Sequence, residues 1–174
     1  PHFVGTIDGE FAGSLGYYTP TDTRDVGVVQ FVATQDEHRR KGVADALLAR
    51  MVADFVAGGG QALFLCTTNP IAGHLYENHG FWYRIGDGMR FVAVSAPDFD
   101  QMYLAADGDP KIRDAVWGDL PRAAALYNSP EPGWLLKDVL TNCFRDTRYE
   151  QHFVQLMVRI DSGKGAALVL ATPK

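Results

Sequence analysis

Cysteine is scarce in this sequence. Its two cysteines in 174 residues, Cys66 and Cys143, cannot build a disulfide framework. Cys66 lies in an apolar run and reads as a core residue. No apolar stretch approaches the roughly 20 residues that span a bilayer, and none has the layout of a signal peptide. The default expectation is a cytoplasmic protein without a membrane partner. Basic residues are in deficit: 16 Lys and Arg against 21 Asp and Glu leave a net charge of −5, which argues against nucleic acid as a partner. The Gly-x-Gly-x-x-Gly spacing of a dinucleotide-binding domain is missing. His74 and His79 are five apart around a predicted helix and do not share a face, so no metal site is expected. Position 1 is Pro1, already inside a strand-like run; the expectation is a processed chain or a fragment.

What is present is a globular composition, 47% apolar, in a length that suits one domain or one and a half small ones. The most informative stretch is 28–55. It opens with β-formers (Val28, Val29, Phe31, Val32) and turns polar at 34–38. It then becomes basic with one glycine, Arg39-Arg40-Lys41-Gly42. It ends with apolar residues at helical spacing: Val43, Leu47, Leu48, Met51, Val52, Phe55. A strand feeding a basic loop and a helix N-terminus is an anion-binding geometry. The first helical N–H groups have no intrahelical partner, the helix dipole favours negative charge there, and glycine permits close approach.

Arg39-x-x-Gly42-x-Ala44 resembles the acetyl-CoA loop of the GNAT superfamily of N-acetyltransferases, Gln/Arg-x-x-Gly-x-Gly/Ala. After the helix come an apolar strand at 61–67 and then Asn69-Pro-Ile-Ala72-Gly-His-Leu75-Tyr76-Glu-Asn-His-Gly80-Phe81. That segment is similar to the superfamily's second signature, Asn-x-x-Ala-x-x-Leu-Tyr-x-x-x-Gly-Phe. Two signatures at this separation are far more specific than either alone. The likeness covers roughly residues 2–94.

The resemblance implies an α/β (α+β) fold with a mixed, mostly antiparallel central sheet flanked by helices. It implies acetyl-CoA as cosubstrate, with no metal, and a primary amine as acceptor, small-molecule or protein. The diphosphate would rest on Arg39, Arg40, Lys41, Gly42, Val43 and Ala44. The pantetheine arm would pair with the edge of the strand at Val32, Ala33 and Thr34, splayed from its neighbour, much as an added strand does. A backbone N–H near Ala33 would face the oxyanion, Tyr76 would protonate the leaving thiolate, and Asn69 would bind the pantetheine region or serve only as a helix cap. The base stays open among Glu10, Asp25, Glu37 and His38. Tyr17, Tyr18, Trp82 and Tyr83 fit an acceptor pocket or a packed sheet face equally well.

Pattern reading places strands at 2–7, 10–19 and 26–34, with a tight turn at Asp8-Gly9. The long helix stops at Gly58-Gly59-Gly60. A short helix starts at Asn69 or Pro70, and strands follow at 81–85 and 89–95. The GNAT fold normally has a strand and one or two helices ahead of these. Residues 1–95 are thus expected to form an acetyl-CoA-binding core, 96–110 a linker, and 111–174 a β-α-α-β segment. Within that segment, a helix is expected from Asp119 as N-cap, a second helix at 133–144, and strands at 150–160 and 166–171. The tail either begins a second GNAT domain or packs back on the first; a neighbour supplying the opening segment would make a homodimer. Against the transferase stands a CoA-binding module without catalysis, half of a tandem protein.

Overall fold

A computed structural model describes residues 1–105, 108–128 and 149–172. The chain starts as an antiparallel meander: β1 (His2–Ile7), β2 (Glu10–Tyr18) and β3 (Val26–Thr34). Asp8 and Gly9, both at positive φ (54° and 85°), close the first hairpin in the form that matches strand twist. Helix α1 (Val43–Ala57) then crosses to β4 (Ala62–Cys66), which lies parallel to β3. Gly60 makes the end of α1 possible: a Cβ there would sit 2.4 Å from the Phe55 ring. Helix α2 (Pro70–Glu77) and the hairpin of β5 (Trp82–Ile85) and β6 (Gly88–Val92) complete a six-stranded sheet of order β1-β2-β3-β4-β6-β5. Only β3–β4 is parallel; the fold is mixed α/β, mostly antiparallel, as expected.

Strand alternation divides the side chains between two faces. On one face α1 and α2 bury Leu48, Met51, Phe55 and Tyr76 against Leu15, Tyr17, Val29, Leu63 and Leu65. On the other, Val26, Val28, Ala62 and Phe64 are covered by three further helices, α3 (Ala96–Tyr103), α4 (Leu120–Tyr127) and α5 (Tyr149–Asp161). Ala124 and Ala125, almost fully buried, let α4 lie close to the sheet. A separate two-stranded sheet joins β7 (Lys111–Asp114) to β8 (Leu168–Ala171).

Three expectations beyond residue 95 need correction. The start of the expected linker is helical, because Ser95 Oγ accepts the Asp98 N–H (3.3 Å), Pro97 suits a first turn and Phe99 is fully buried beside Phe64. The expected strand at 150–160 is α5. Its even-numbered apolar residues mimic alternation, but the side chains turned inward are Phe153, Met157 and Ile160, a helical stripe, while Val154 and Val158 face outward. Asp119 precedes α4 without capping it: its carboxylate turns back to the Val116 N–H (2.9 Å) and the Arg113 guanidinium (2.7 Å). The helix expected at 133–144 lies outside the described residues.

Candidate active site

The site is built where β3 leaves β4. The two strands pair only from Val26↔Ala62 to Val28↔Phe64. Beyond that, β3 runs on to Thr34 against β2, while Leu65 and Cys66 continue against β6. One edge of β3 from Val29 onward therefore has no strand partner, and β4 borders the gap opposite. This is the splay that the resemblance implied and that periodicity could not reveal.

A bulge sharpens it. Ser14 pairs with Ala33 and Gly16 with Gln30, so Phe31 and Val32 together oppose Leu15. Phe31 takes φ 57°, a left-handed conformation costing a bulky residue about 1–2 kcal/mol. Its ring is 60% exposed, between His2 (6.2 Å) and Tyr18 (5.9 Å). Phe31→Gly is expected to raise stability by up to about 1 kcal/mol in urea unfolding; a loss would mean that the ring contacts outweigh the strain. Nothing in the hydropathy pattern signals this bulge.

The phase of the ladder assigns the edge groups. Gln35 donates its N–H to the Ala12 carbonyl (2.9 Å), so Ala33, two residues back, also faces β2. Val32 and Thr34 then turn their N–H and C=O to the open edge.

At the end of β3, a single 3₁₀ turn (Asp36–His38) leads into the loop. Arg40 (φ 60°) and Gly42 (φ 79°) adopt left-handed conformations, and Gly42 caps α1 with no side chain in the way. Among the described residues, no acceptor faces the N–H groups of Arg40 through Asp45. A Cβ on Gly42 would meet nothing within 4 Å, so the cradle is open. Beneath it Gly13 is required for packing: a Cβ there would lie 2.7 Å from the Ala33 oxygen. Arg39 pairs with Asp36 at 2.7 Å, both largely exposed, a contact of little energetic weight; Arg40 and Lys41 are exposed. Val43 and Ala44 are half-buried.

The second signature forms α2. Asn69 caps it, its Oδ1 accepting from Ile71 N (3.0 Å) and Ala72 N (3.4 Å). Tyr76 is 5% exposed, packed on Phe81 at 5.8 Å in the same core as Leu65. Burial pushes its phenol up to about 12, so the hydroxyl keeps its proton. His79 reaches across to Asp45 in the first turn of α1 (2.9 Å), and His74 lies 3.6 Å from Glu77.

The open residues also sort themselves. Tyr17 is core, its hydroxyl donating to Asp54 (3.2 Å). Tyr18 is half exposed and, with His2, Gln30 and Phe31, lines a shallow recess of about 270 Å³. Trp82 lies under the Arg90 guanidinium (5.4 Å), and Tyr83 presses its hydroxyl against Gly73. Asp25 starts β3, far from the open edge, and accepts from the Val26 N–H (3.1 Å). Glu10 and Glu37 are exposed and His38 is buried in the 3₁₀ turn. One group escaped sequence reading. Glu150, 6% exposed on α5, accepts a hydrogen bond from the Cys66 thiol at the end of β4. A position read as one strand residue among others gave no hint of it.

A comparison with curated proteins found no match. Among solved structures, similar chains include Eis1 from Mycobacterium abscessus (20% identity, 46% of this chain and 21% of that one, TM-score 0.39). N-acetylglutamate synthase from Neisseria gonorrhoeae, complexed with coenzyme A and L-arginine, is 20% identical over 52% of this chain and 24% of that one (TM-score 0.45). The ribosomal-protein-S18-alanine N-acetyltransferase from Escherichia coli is 22% identical over 55% and 70% (TM-score 0.46). This chain thus spans about a fifth to a quarter of the first two proteins. The family model of the acetyltransferase (GNAT) family matches residues 1–81, the segment that carries both signatures, the open β3 edge and the glycine cradle. That match covers just under half of the chain, and over it the chain is similar to the acetyltransferase (GNAT) family.

Proposed function

We propose that this protein transfers an acetyl group from acetyl-CoA to a primary amine, by direct attack with both substrates bound. The observation that carries the reading is the unpartnered edge of β3 running into an open cradle of backbone N–H groups. The residues fit the cosubstrate. Val32 and Thr34 offer edge groups for the pantetheine amides. The N–H groups of Arg40 to Ala44, with the helix dipole, suit the diphosphate, at roughly 0.3–1 kcal/mol per exposed contact. Arg39, Arg40 and Lys41 add positive charge to a chain that is net negative. Bound acetyl-CoA supplies an activated acyl group. An edge N–H at Val32 or Thr34 can face the developing oxyanion. Tyr76, held protonated by burial, is the donor to the departing sulfur. Val43 and Ala44 close the cradle, and Asn69, occupied as a cap, orients α2 and hence Tyr76.

Residues 111–128 and 149–172 belong to the same unit in this reading, since α4 and α5 bury Val26, Val28 and Phe64 on the face that an acceptor would approach. Among the described residues, no helix is long and apolar enough to cross a membrane; a cytoplasmic home and an acceptor in solution remain the proposal.

The test is thiol release from acetyl-CoA with a set of primary amines. Tyr76→Phe is expected to lower kcat about 100-fold, the low end for a positioned acid, with KM for acetyl-CoA unchanged. An unchanged kcat removes Tyr76 from the chemistry. Wild-type binding without any turnover would favour a CoA-binding module.

A further inference from the structure

The proposed reaction leaves one proton unassigned. A lysine-like ammonium, with a reference pKa near 10.4, must be neutral before it attacks. Of the carboxylates expected for this task, Asp25 lies at the far end of β3, and Glu10 and Glu37 are exposed. The structure assigns another: we propose that Glu150 takes the proton from the acceptor amine. This inference rests on the acetyl-transfer reading.

Position is the first argument. Cys66 ends β4, within the two residues that border the gap, and alternation puts it on the face of Ala62 and Phe64. Its thiol donates to the Glu150 carboxylate. Glu150 therefore stands at the mouth of the gap on the α4–α5 face, whereas Tyr76 is packed on the α1–α2 face. The amine adds to the carbonyl carbon and the sulfur leaves the tetrahedral intermediate that results, so two separate proton partners serve the two events, and the structure offers one from each face of the sheet.

Chemistry is the second. Glu150 is 6% exposed, no cationic partner faces it among the described residues, and burial raises its proton affinity above that of an ordinary carboxyl. Asp87, from the β5–β6 turn, is the further charged group that acts on the pair, through Cys66. Burial and the neighbouring carboxylates hold the Cys66 thiol far above its usual range. Cys66 is thus no nucleophile. It is a positioning residue that orients the carboxylate, half exposed beside it.

The step balances. The ammonium gives one proton to Glu150, which passes it to solvent. The neutral nitrogen bonds to the carbonyl carbon, and the C–S bond breaks with its electron pair on sulfur. The sulfur gains one proton through Tyr76 and the nitrogen loses its second. One proton is released per turnover.

The experiment measures kcat/KM from pH 6 to 10 with acetyl-CoA and, in turn, spermidine, L-lysine methyl ester and an alanine-terminated tripeptide, for wild type and Glu150→Gln. Acetyl-CoA binding and thermal stability are measured alongside. Gln keeps the size and the acceptor for the Cys66 thiol. It should also fold well. A carboxyl whose folded pKa is raised contributes stability fully below its unfolded pKa and loses it as pH rises, so at pH 7 a neutral side chain is no handicap. The expected result is a loss of roughly 10²–10⁴-fold at pH 7, shrinking as pH nears that of the free amine, with acetyl-CoA affinity unchanged. Turnover equal to wild type, a loss constant across pH, or an unfolded variant overturns the role of Glu150 and leaves the transfer reading intact. A folded wild type that does not bind acetyl-CoA, or acetylates none of the three amines, overturns both.

Discussion

Replacing Gly42 with aspartate is expected to weaken acetyl-CoA binding by at least about 100-fold without unfolding the protein. The fold tolerates the change because no atom lies within 4 Å of the new Cβ, and aspartate is among the few residues that accept φ near 79°. The ligand should not. A carboxylate at the mouth of the cradle would stand within a few ångströms of a diphosphate. At the effective dielectric of a protein surface, two like charges 4 Å apart repel by about 4 kcal/mol, and even 2.7 kcal/mol is a hundredfold in Kd. Gly42→Ala isolates the backbone cost, because alanine adds strain without charge. It should lower stability by about 1 kcal/mol and binding far less than aspartate does. Equal affinities for wild type and Gly42→Asp in calorimetric titration would move the phosphates away from α1.

Asp100→Ala is expected to cost about 3–5 kcal/mol, the usual penalty for stranding a buried charge. Arg90, on β6, is 5% exposed; it donates from both terminal nitrogens to Asp100 on α3 (2.8 and 3.0 Å) and to the Asn128 carbonyl at the end of α4 (3.3 Å). One guanidinium thus ties two helices of the second face to the sheet. Without Asp100 it is left buried against the Trp82 ring and the Asn128 carbonyl, its carboxylate partner gone. In a protein of this size each kcal/mol moves Tm by about 2–4 °C, so the melt should fall by roughly 10 °C. Replacing both partners, Arg90→Met with Asp100→Leu, should recover most of the loss, because no charge is then stranded. A change below 1 kcal/mol for Asp100→Ala in urea unfolding would show that α3 and α4 dock without this pair.

The two halves of the chain differ in how far their sequence reveals them. Up to residue 95, local signals agree with one another. Asp8-Gly9 can close only a tight turn, Gly58 to Gly60 ends the one long helical pattern, and the stripe from Val43 to Phe55 has one period. Elements there appear within a residue or two of their expected bounds, save the last strand, which ends at Val92 and not at 95. Beyond 95 the signals conflict. In 150–160 the same residues satisfy periods of 2 and 3.6, and only contact with Val26, Val28 and Phe64 selects the helix. The start of α3 was legible: Ser95-Ala-Pro-Asp98 is a capping pattern, outweighed in the reading by the polar composition around it. The site divides similarly. The proposed phosphate loop is contiguous, so Arg39 to Ala44 fall within one short pattern that a family resemblance can pick out. The gap between β3 and β4, the bulge at Phe31 and the Cys66–Glu150 contact join residues up to 84 positions apart, and a period carries no information about such pairs.

The most direct test of the central claim is amide hydrogen exchange with and without acetyl-CoA. Slowed exchange should be confined to the open edge of β3, at Val32 and Thr34, and to the cradle from Arg40 to Ala44. That pattern would place the cosubstrate along the edge of β3 that β4 leaves unpaired. Unchanged exchange at both segments under saturating acetyl-CoA, or protection limited to the β7–β8 sheet, would contradict the account.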